Sequence, residues 1–483
     1  MSAGDPGKPA VAGPPAGLLI GGEWTSRSRT RDVRNPMTGE LVGTIALGSA
    51  ADVEAAVAAA GAAQAEPFPL IARRELLARA AALVESRQDD YAWTIAREGS
   101  KTIREARREP PRAATILRLC AEEAARVAGE TLPFDLRPGS ENRTGYYFRV
   151  PAGLVGAITP FNDPLAIAAH KIGPALAAGN SIVLKPATAT PFSALRLAGD
   201  LIEAGLPAGR LNVVTGPGEE IGEAIARHPR IRLLSFTGGV ETGERLTRIA
   251  GMKKLSMELG SNSPVIVMAD ADLARAVPAI AAGAFAQAGQ NCLGVQRVLV
   301  QAEVYDEFAD RFVALARSLK AGASTDERVD VCAMIDERQA ARVDEWVGEA
   351  LARGARRLCG GARTGALVPP TVLDRVPDGV RVDCEEVYGP VVSLYRVASL
   401  DEAIARANGV RYGLHAAIFT ERLRDALDAA ARLDVGAVIV NDSTDYRLDV
   451  MPFGGTKLSG LGREGVRFAT LEMTETRVVC FNL

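Results

Sequence analysis

The chain has 483 residues, which at roughly 150 residues per domain is length for about three structural units. It is 47% hydrophobic and 24% charged, with 48 Gly and 27 Pro, the balance of a soluble globular protein and not of a disordered or fibrous one. Lys plus Arg number 56 against 59 Asp plus Glu, so there is no electrostatic footprint for nucleic-acid phosphates and no nucleic-acid partner is expected.

The chain opens on MSAGDPGKPAVAGPPAG, a loose Pro/Gly arm to residue 16 without the basic start and apolar stretch of a signal peptide. No run of eighteen apolar residues follows, so the reading is a cytoplasmic protein with no membrane partner. Two long Ala/Arg/Glu helices are predicted around 51–64 and 68–96. The segment 132–150 contains Pro133, Pro138 and Gly139 and then an extended aromatic run, which predicts a projecting hairpin.

From there short β-rich runs alternate with amphipathic stretches, the pattern of a parallel sheet with crossover helices, so the class is α/β. Strands are predicted at 154–159, 181–185, 211–215, 233–237, 264–268, 295–301 and 437–441, and helices at 191–204, 272–288 and 304–319. The last residues, 472–483, read as another strand. This strand and the hairpin would leave unpaired edges on a monomer, so the expected macromolecular partner is a second copy of the chain, as a dimer or tetramer.

Six cysteines without a CxxC pair and three scattered histidines without HExxH point to a reducing compartment and to no metal site. The stretch Ala286-Gln-Ala-Gly-Gln-Asn-Cys292-Leu-Gly sets one of these cysteines in a glycine-flanked turn, where it is either a packed small side chain or a nucleophile facing a cleft. Glu258, in Lys254-Leu-Ser-Met-Glu258-Leu-Gly, sits where the chain leaves a strand, as a capping or a catalytic carboxylate. Asn162, in Thr159-Pro160-Phe161-Asn162-Asp163-Pro, follows a strand at the end where α/β sheets bind ligands, and is otherwise a turn former. Phe236-Thr-Gly238-Gly239-Val-Glu-Thr-Gly243 opens a helix whose free N–H groups suit a pyrophosphate, although its glycine spacing is neither GxGxxG nor a P-loop. Thr215-Gly-Pro-Gly218 is a second glycine turn after a strand.

In this order TPFNDPL, GNSIVLKPATATP, FTGG with Gly243, MELG, GQNC, EEVYGP and PFGGTKLSGLGRE resemble the aldehyde dehydrogenase superfamily, from about residue 18 to the C-terminus. Tyr446-Arg-x-Asp-x-Met-Pro-Phe-Gly-Gly and Gly294-Val-Gln-Arg297 resemble most the lactaldehyde and semialdehyde dehydrogenase branch. The resemblance implies a Rossmann-type cofactor domain (17–131 and 151–257), an α/β catalytic domain (258–450) and oligomerisation segments (132–150 and 466–483). It implies Cys292 as nucleophile, Asn162 as oxyanion ligand and Glu258 as the base that hydrolyses the thioester, with NADP or NAD as cofactor. A CoA-acylating enzyme, or a silent structural relative, is the alternative that intact Cys292, Glu258 and Asn162 oppose.

The same resemblance implies that Lys185 contacts the adenosine ribose and Glu386 the nicotinamide ribose, with Thr159, Pro160, Phe161, Thr188, Gly218, Gly238, Gly239 and Gly243 as further cofactor-binding residues. Thr188 stands where many NAD-preferring relatives have Glu, so a 2′-phosphate meets no carboxylate. Gly239 replaces a frequent Ser. Asp163, His170 and Arg447 stand where relatives acting on apolar aldehydes carry rings, with Phe453 closing the site, which implies a small hydroxylated or anionic aldehyde.

Overall fold

A computed structural model describes residues 16–483; the arm expected over 1–16 lies outside them apart from Ala16. The first large sheet has eight strands. At its centre Leu211–Val213, Ser181–Lys185, Leu154–Ile158, Ile231–Thr237 and Lys254–Glu258 run parallel in that spatial order. In chain order this is third, second, first, fourth and fifth, a doubly wound sheet whose topological switch lies between Leu154–Ile158 and Ile231–Thr237. Leu18–Ile20 and Glu23–Thr25 extend one edge and Gly460–Leu461 the other, all antiparallel.

These strands are short continuous apolar runs because both faces are covered. Val155, Ala157, Ile182 and Leu184 pack into one core layer, while Leu154, Ile158, Val183 and Leu234 pack into the opposite one. Ala50–Ala65 and Val240–Ala250 cover the second face; Glu109–Glu123, Ala166–Ala177 and Phe192–Glu203 cover the first. The helix expected over 68–96 is two, Leu70–Ser86 and Gln88–Glu98. Arg87 breaks it with φ −113° and ψ 20° and pairs with Asp200 and Glu203 on a neighbouring helix.

The second large sheet contains Ser263–Val267, Val295–Gln301, Val391–Val397, Thr371–Asp374, His415–Phe419 and Ala437–Val440, parallel, with Arg356–Cys359 antiparallel at one edge. Only residues 259–262 separate the last parallel strand of the first sheet from Ser263–Val267. The carboxyl ends of one sheet therefore face the amino ends of the other across a gap.

Arg143–Pro151 pairs over its whole length with Thr474–Asn482, and Glu130–Thr131 adds a short third strand. The two segments expected to leave separate open edges thus close on each other, and one long outer edge remains, on Thr474–Asn482. The residues before it, Val466–Glu472, form a helix, with Val466 and Met473 in the core layer on one face of the first large sheet. Among the described residues no helix is long and apolar enough to cross a membrane.

Candidate active site

Cys292 lies between the helix Leu273–Phe285 and the strand Val295–Gln301, half-buried. The loop before it is held in an unusual backbone: Gln287 (φ 55°), Ala288 (φ 54°) and Gly289 (φ 69°) are successive left-handed residues, costly at the two that carry a Cβ. Only glycine fits at 289, where a Cβ would come within 2.1 Å of the Gly389 carbonyl oxygen. The cysteine loop is in this way pinned against Glu385–Pro390, whose Tyr388 also has positive φ (48°) and packs edge-on to Phe161 at 5.9 Å. The Gln287 N–H donates to Glu105 Oε1 at 2.8 Å, and the Ile335 N–H donates to Gln290 Oε1 at 3.0 Å.

Two cavities meet at this cysteine. The larger, about 590 Å³, is lined by Thr159, Pro160, Phe161 and Asn162 from the first switch-point strand and by Thr237, Gly238 and Gly239 from the second. Glu258, Glu386 and Cys292 line it too. Gly239 caps the helix Val240–Ala250 with extended dihedrals, leaving that helix's first N–H groups facing the cleft. At Gly243 a Cβ would meet Leu259 Cδ2 at 2.4 Å, so a larger residue there would have to displace the Leu259 side chain. At Gly239 a Cβ meets nothing closer than 3.8 Å, so the absence of a side chain there is not forced by space.

Glu386 accepts the Ser261 N–H on Oε1 at 2.7 Å, and burial pushes its pKa up to about 7. Lys185, Thr188 and Gly218 lie at the carboxyl ends of the adjoining strands, beyond this lining. Lys185 is buried, donates to the Pro186 carbonyl at 2.9 Å, and is lowered to about 8 by burial. Thr188 Oγ1 donates to the Gly216 carbonyl at 2.8 Å and so ties the two strand-end loops together. A cleft at the switch point with a helix N-terminus, two loop-borne glycines and a buried carboxylate fits a dinucleotide.

The smaller cavity, about 240 Å³, shares Cys292, Glu258, Thr237 and Leu259 with the larger one. Its walls carry Asp163, Arg447 and Phe453, as well as Lys101, Arg108, Glu109 and Arg112, which lie in none of the motifs, and Glu464, which ends PFGGTKLSGLGRE without a role implied there. Lys101 is buried and holds both Glu109 and Asp163; the Asp163 carboxyl is held at about 2, against its burial, by the Lys101 and Arg112 charges. His170 is absent from the lining of both cavities. It is fully buried, with Nε2 2.8 Å from Asp449 Oδ1, and burial lowers its pKa. Arg112 also binds Asp449, at 2.9 Å.

Arg447 is therefore not engaged by Asp163 or Asp449. Its guanidinium lies 3.6 Å over the Phe453 ring and donates to Glu464 Oε2 at 3.2 Å, and its Nε is buried without a partner. Arg108 is exposed at the mouth, and its guanidinium forms no ion pair or hydrogen bond among the described residues.

Burial raises the Cys292 thiol to about 12, with Arg447 the charge that opposes the rise. Glu258 is 3% exposed and both of its carboxylate oxygens lack a partner. Burial first, and then the Glu464 charge, push its pKa well above the usual carboxylate range. Glu464 moves the other way, to about 2, because Lys171 at 3.3 Å and Arg447 hold it ionised despite its burial. A half-buried thiol, an unpaired carboxyl beside it and a dinucleotide-shaped cleft can carry out covalent catalysis followed by hydrolysis.

Known proteins bear on this geometry. The model of the aldehyde dehydrogenase family matches residues 24–479. A 3-sulfolactaldehyde dehydrogenase of Priestia aryabhattai is 45% identical over 467 residues, covering 97% of this chain and 98% of that one. An aspartate-semialdehyde dehydrogenase of Pseudomonas canavaninivorans is 46% identical over 454 residues, covering 94% and 96%. Among solved structures, the NADP-dependent glyceraldehyde-3-phosphate dehydrogenase of Bacillus halodurans, complexed with NADP, superposes with a TM-score of 0.94 at 39% identity, covering 97% and 99%. With agreement over nearly the full length in family match, relatives and fold, the chain belongs to the aldehyde dehydrogenase family.

Proposed function

We propose that the chain oxidises a small anionic aldehyde to its carboxylic acid with NADP or NAD. The observation that carries this is the position of Cys292 and Glu258, which together line both the cofactor-shaped cavity and the small charged one. Cys292, once deprotonated, attacks the aldehyde carbon, and the Asn162 side chain with the Cys292 N–H holds the oxygen that becomes negative. The dinucleotide supplies the hydride acceptor, with Lys185, Gly238, Gly239 and Glu386 as its ligands. Glu258 then takes a proton from water as that water attacks the thioester carbon, releasing the acid and restoring the thiol.

For the substrate, the smaller cavity offers spare cationic donors on Arg447 and Arg108, while Lys101 and Arg112 are already neutralised. Sulfolactaldehyde, aspartate semialdehyde and glyceraldehyde 3-phosphate, in the names of the similar proteins, are all aldehydes carrying an anionic group. The free edge of Thr474–Asn482, with Val478 and Phe481 exposed, supports a homo-oligomer.

Reduced-cofactor formation from carboxylated, sulfonated, phosphorylated and plain aliphatic aldehydes, with NAD and NADP and with and without CoA, tests the reading. Turnover of an anionic aldehyde without CoA, abolished in Cys292→Ala, is expected. Turnover that requires CoA would replace hydrolysis by transfer of the acyl group from Cys292 to the CoA thiol, and no turnover at all would leave a structural relative.

A further inference from the structure

A third cavity, about 600 Å³, lies away from both of these. Its lining includes Gly153, Ala178, Gly179 and Arg210, which immediately precede the strands Leu154–Ile158, Ser181–Lys185 and Leu211–Val213. Those are three adjacent strands of the parallel sheet, and the cavity is at their amino ends. The dinucleotide cleft is at their carboxyl ends, roughly 15 Å away along a five-residue strand. The opposite wall comes from the small sheet, through Arg149, Val150, Pro151, Thr474 and Arg477.

Four arginines, Arg73, Arg149, Arg210 and Arg477, line this space, against one carboxylate side chain, Glu66. Every other arginine cluster on the molecule described above is laced with Asp or Glu, but among the described residues none of these four has a carboxylate oxygen within 4.0 Å. The two inner ones converge on one turn. Arg210, 2% exposed, donates to the Gly179 carbonyl at 3.1 Å and to the Glu66 carbonyl at 2.6 Å, and stacks on Phe68 at 4.7 Å. Arg73 donates to the Ala177 carbonyl at 2.7 Å, while its Nε is buried without a partner. A Cβ on Gly179 would meet Arg73 Nη1 at 3.1 Å, so the glycine leaves room for the guanidinium.

Burial and mutual repulsion lower the pKa of Arg210, and burial that of Arg73. Backbone carbonyls orient these groups but do not cancel their charge. An oxyanion in the cavity would relieve the repulsion and accept from donors that now have nothing to bind.

We propose that this cavity is a binding site for a phosphorylated small molecule, separate from catalysis, which ties the amino ends of the cofactor-side sheet to the small sheet. The volume exceeds what inorganic phosphate needs and leaves space for an organic part beside Phe68 and Leu70. The charge pattern selects a di- or polyanion over a single carboxylate.

The test uses the full chain with the dinucleotide cleft saturated with NAD, so that pyrophosphate, the probe, cannot report from there. Thermal unfolding and calorimetry are followed as pyrophosphate is added, with sodium chloride at equal ionic strength as control. A saturable rise in Tm, a few degrees at about a hundred times Kd, is expected with pyrophosphate and not with chloride. Arg73→Gln and Arg477→Gln should each weaken binding about tenfold, the effect of losing one charge-assisted contact, and leave aldehyde oxidation without pyrophosphate unchanged. Absence of a saturable rise in the parent protein, or an equal rise in both variants, would overturn the site. Arg477→Gln shifting the oligomer to a smaller species would also overturn it, because the arginines would then be meeting acidic groups of a second copy.

Discussion

Arg447→Met separates what this arginine does for substrate from what it does for the cysteine. Methionine keeps an unbranched stem against Phe453 but removes the guanidinium that lies 3.6 Å over the ring. Glu464 is not stranded, since Lys171 still holds it at 3.3 Å, so the variant should fold. Two losses follow. Arg447 is the charge that lowers the Cys292 thiol and the foremost of those that lower the Glu258 carboxyl, so without it both pKa values rise further. Every aldehyde should then react more slowly at neutral pH, with the alkaline rise in kcat/KM displaced upward. The second loss falls only on an anionic substrate, which forfeits a charge-assisted contact of about 2 kcal/mol, or about thirtyfold in kcat/KM. Specificity constants for a carboxylated or sulfonated aldehyde and for an aliphatic one of equal length, measured across pH, give the two effects separately. The anionic-to-aliphatic ratio should fall about thirtyfold. A ratio unchanged within about threefold would refute substrate contact and leave Arg447 as the holder of Glu464.

Three further substitutions probe other parts of the site. Glu258→Gln should leave a burst of reduced cofactor followed by slow turnover, and because the folded-state pKa of Glu258 is raised above 4.5, the carboxylate destabilises the fold only as pH rises. The Tm of the variant minus that of the parent should therefore be flat below about pH 4.5 and grow with pH, and a flat difference throughout would count against an ionising buried carboxyl. Thr188→Glu forfeits the bond to Gly216 for either cofactor, but only NADP also meets a new repulsion, so the NADP-to-NAD ratio of specificity constants should fall; an unchanged ratio would place the 2′-phosphate elsewhere. Lys101→Met strands Glu109 and Asp163 in a buried pocket and should cost about 3–5 kcal/mol in urea unfolding, with much of it recovered on adding Glu109→Gln; a loss under about 1 kcal/mol would mean that water or Arg112 replaces the lysine.

How far the sequence carries depends on the range of the interaction that decides each feature. Strands such as Ser181–Lys185 and Val295–Gln301 are short apolar runs between glycine-containing turns, local signals that the structure matches residue for residue. The break at Arg87 is not local: the helix stops where an arginine turns to Asp200 and Glu203, over a hundred residues on. The same holds for Thr474–Asn482, an edge by its own sequence, which closes on Arg143–Pro151 only once the chain has folded. In the site, Cys292, Glu258 and Asn162 stand in motifs with fixed local geometry. Arg108 and Arg112 sit in an arginine-rich stretch, around a short helix start, that resembles any solvated surface, and nothing in its spacing shows that it overhangs a cavity. His170 illustrates the converse, because position alone made it a pocket residue while Asp449 and a helix buried along its whole length draw it into the interior.

The two glutamates on the small cavity show how one packed environment assigns opposite tasks to the same side chain. Both Glu258 and Glu464 are nearly inaccessible, at 3% exposure each, so desolvation pushes both toward the neutral form. Glu464 escapes because Lys171 and Arg447 supply positive charge at hydrogen-bond range, and it stays ionised near 2. Glu258 has no such partner, and the Glu464 charge pushes it up further. A carboxylate already held by two cations is a poor base, whereas one that is unpartnered and raised by burial is the stronger base once ionised, which is what the proposed hydrolysis asks of Glu258. The cost of burying Glu258 unpaired, which lowers stability as pH rises, is thus the source of the basicity that the proposed reaction requires, and Glu464 with its two cations maintains that difference.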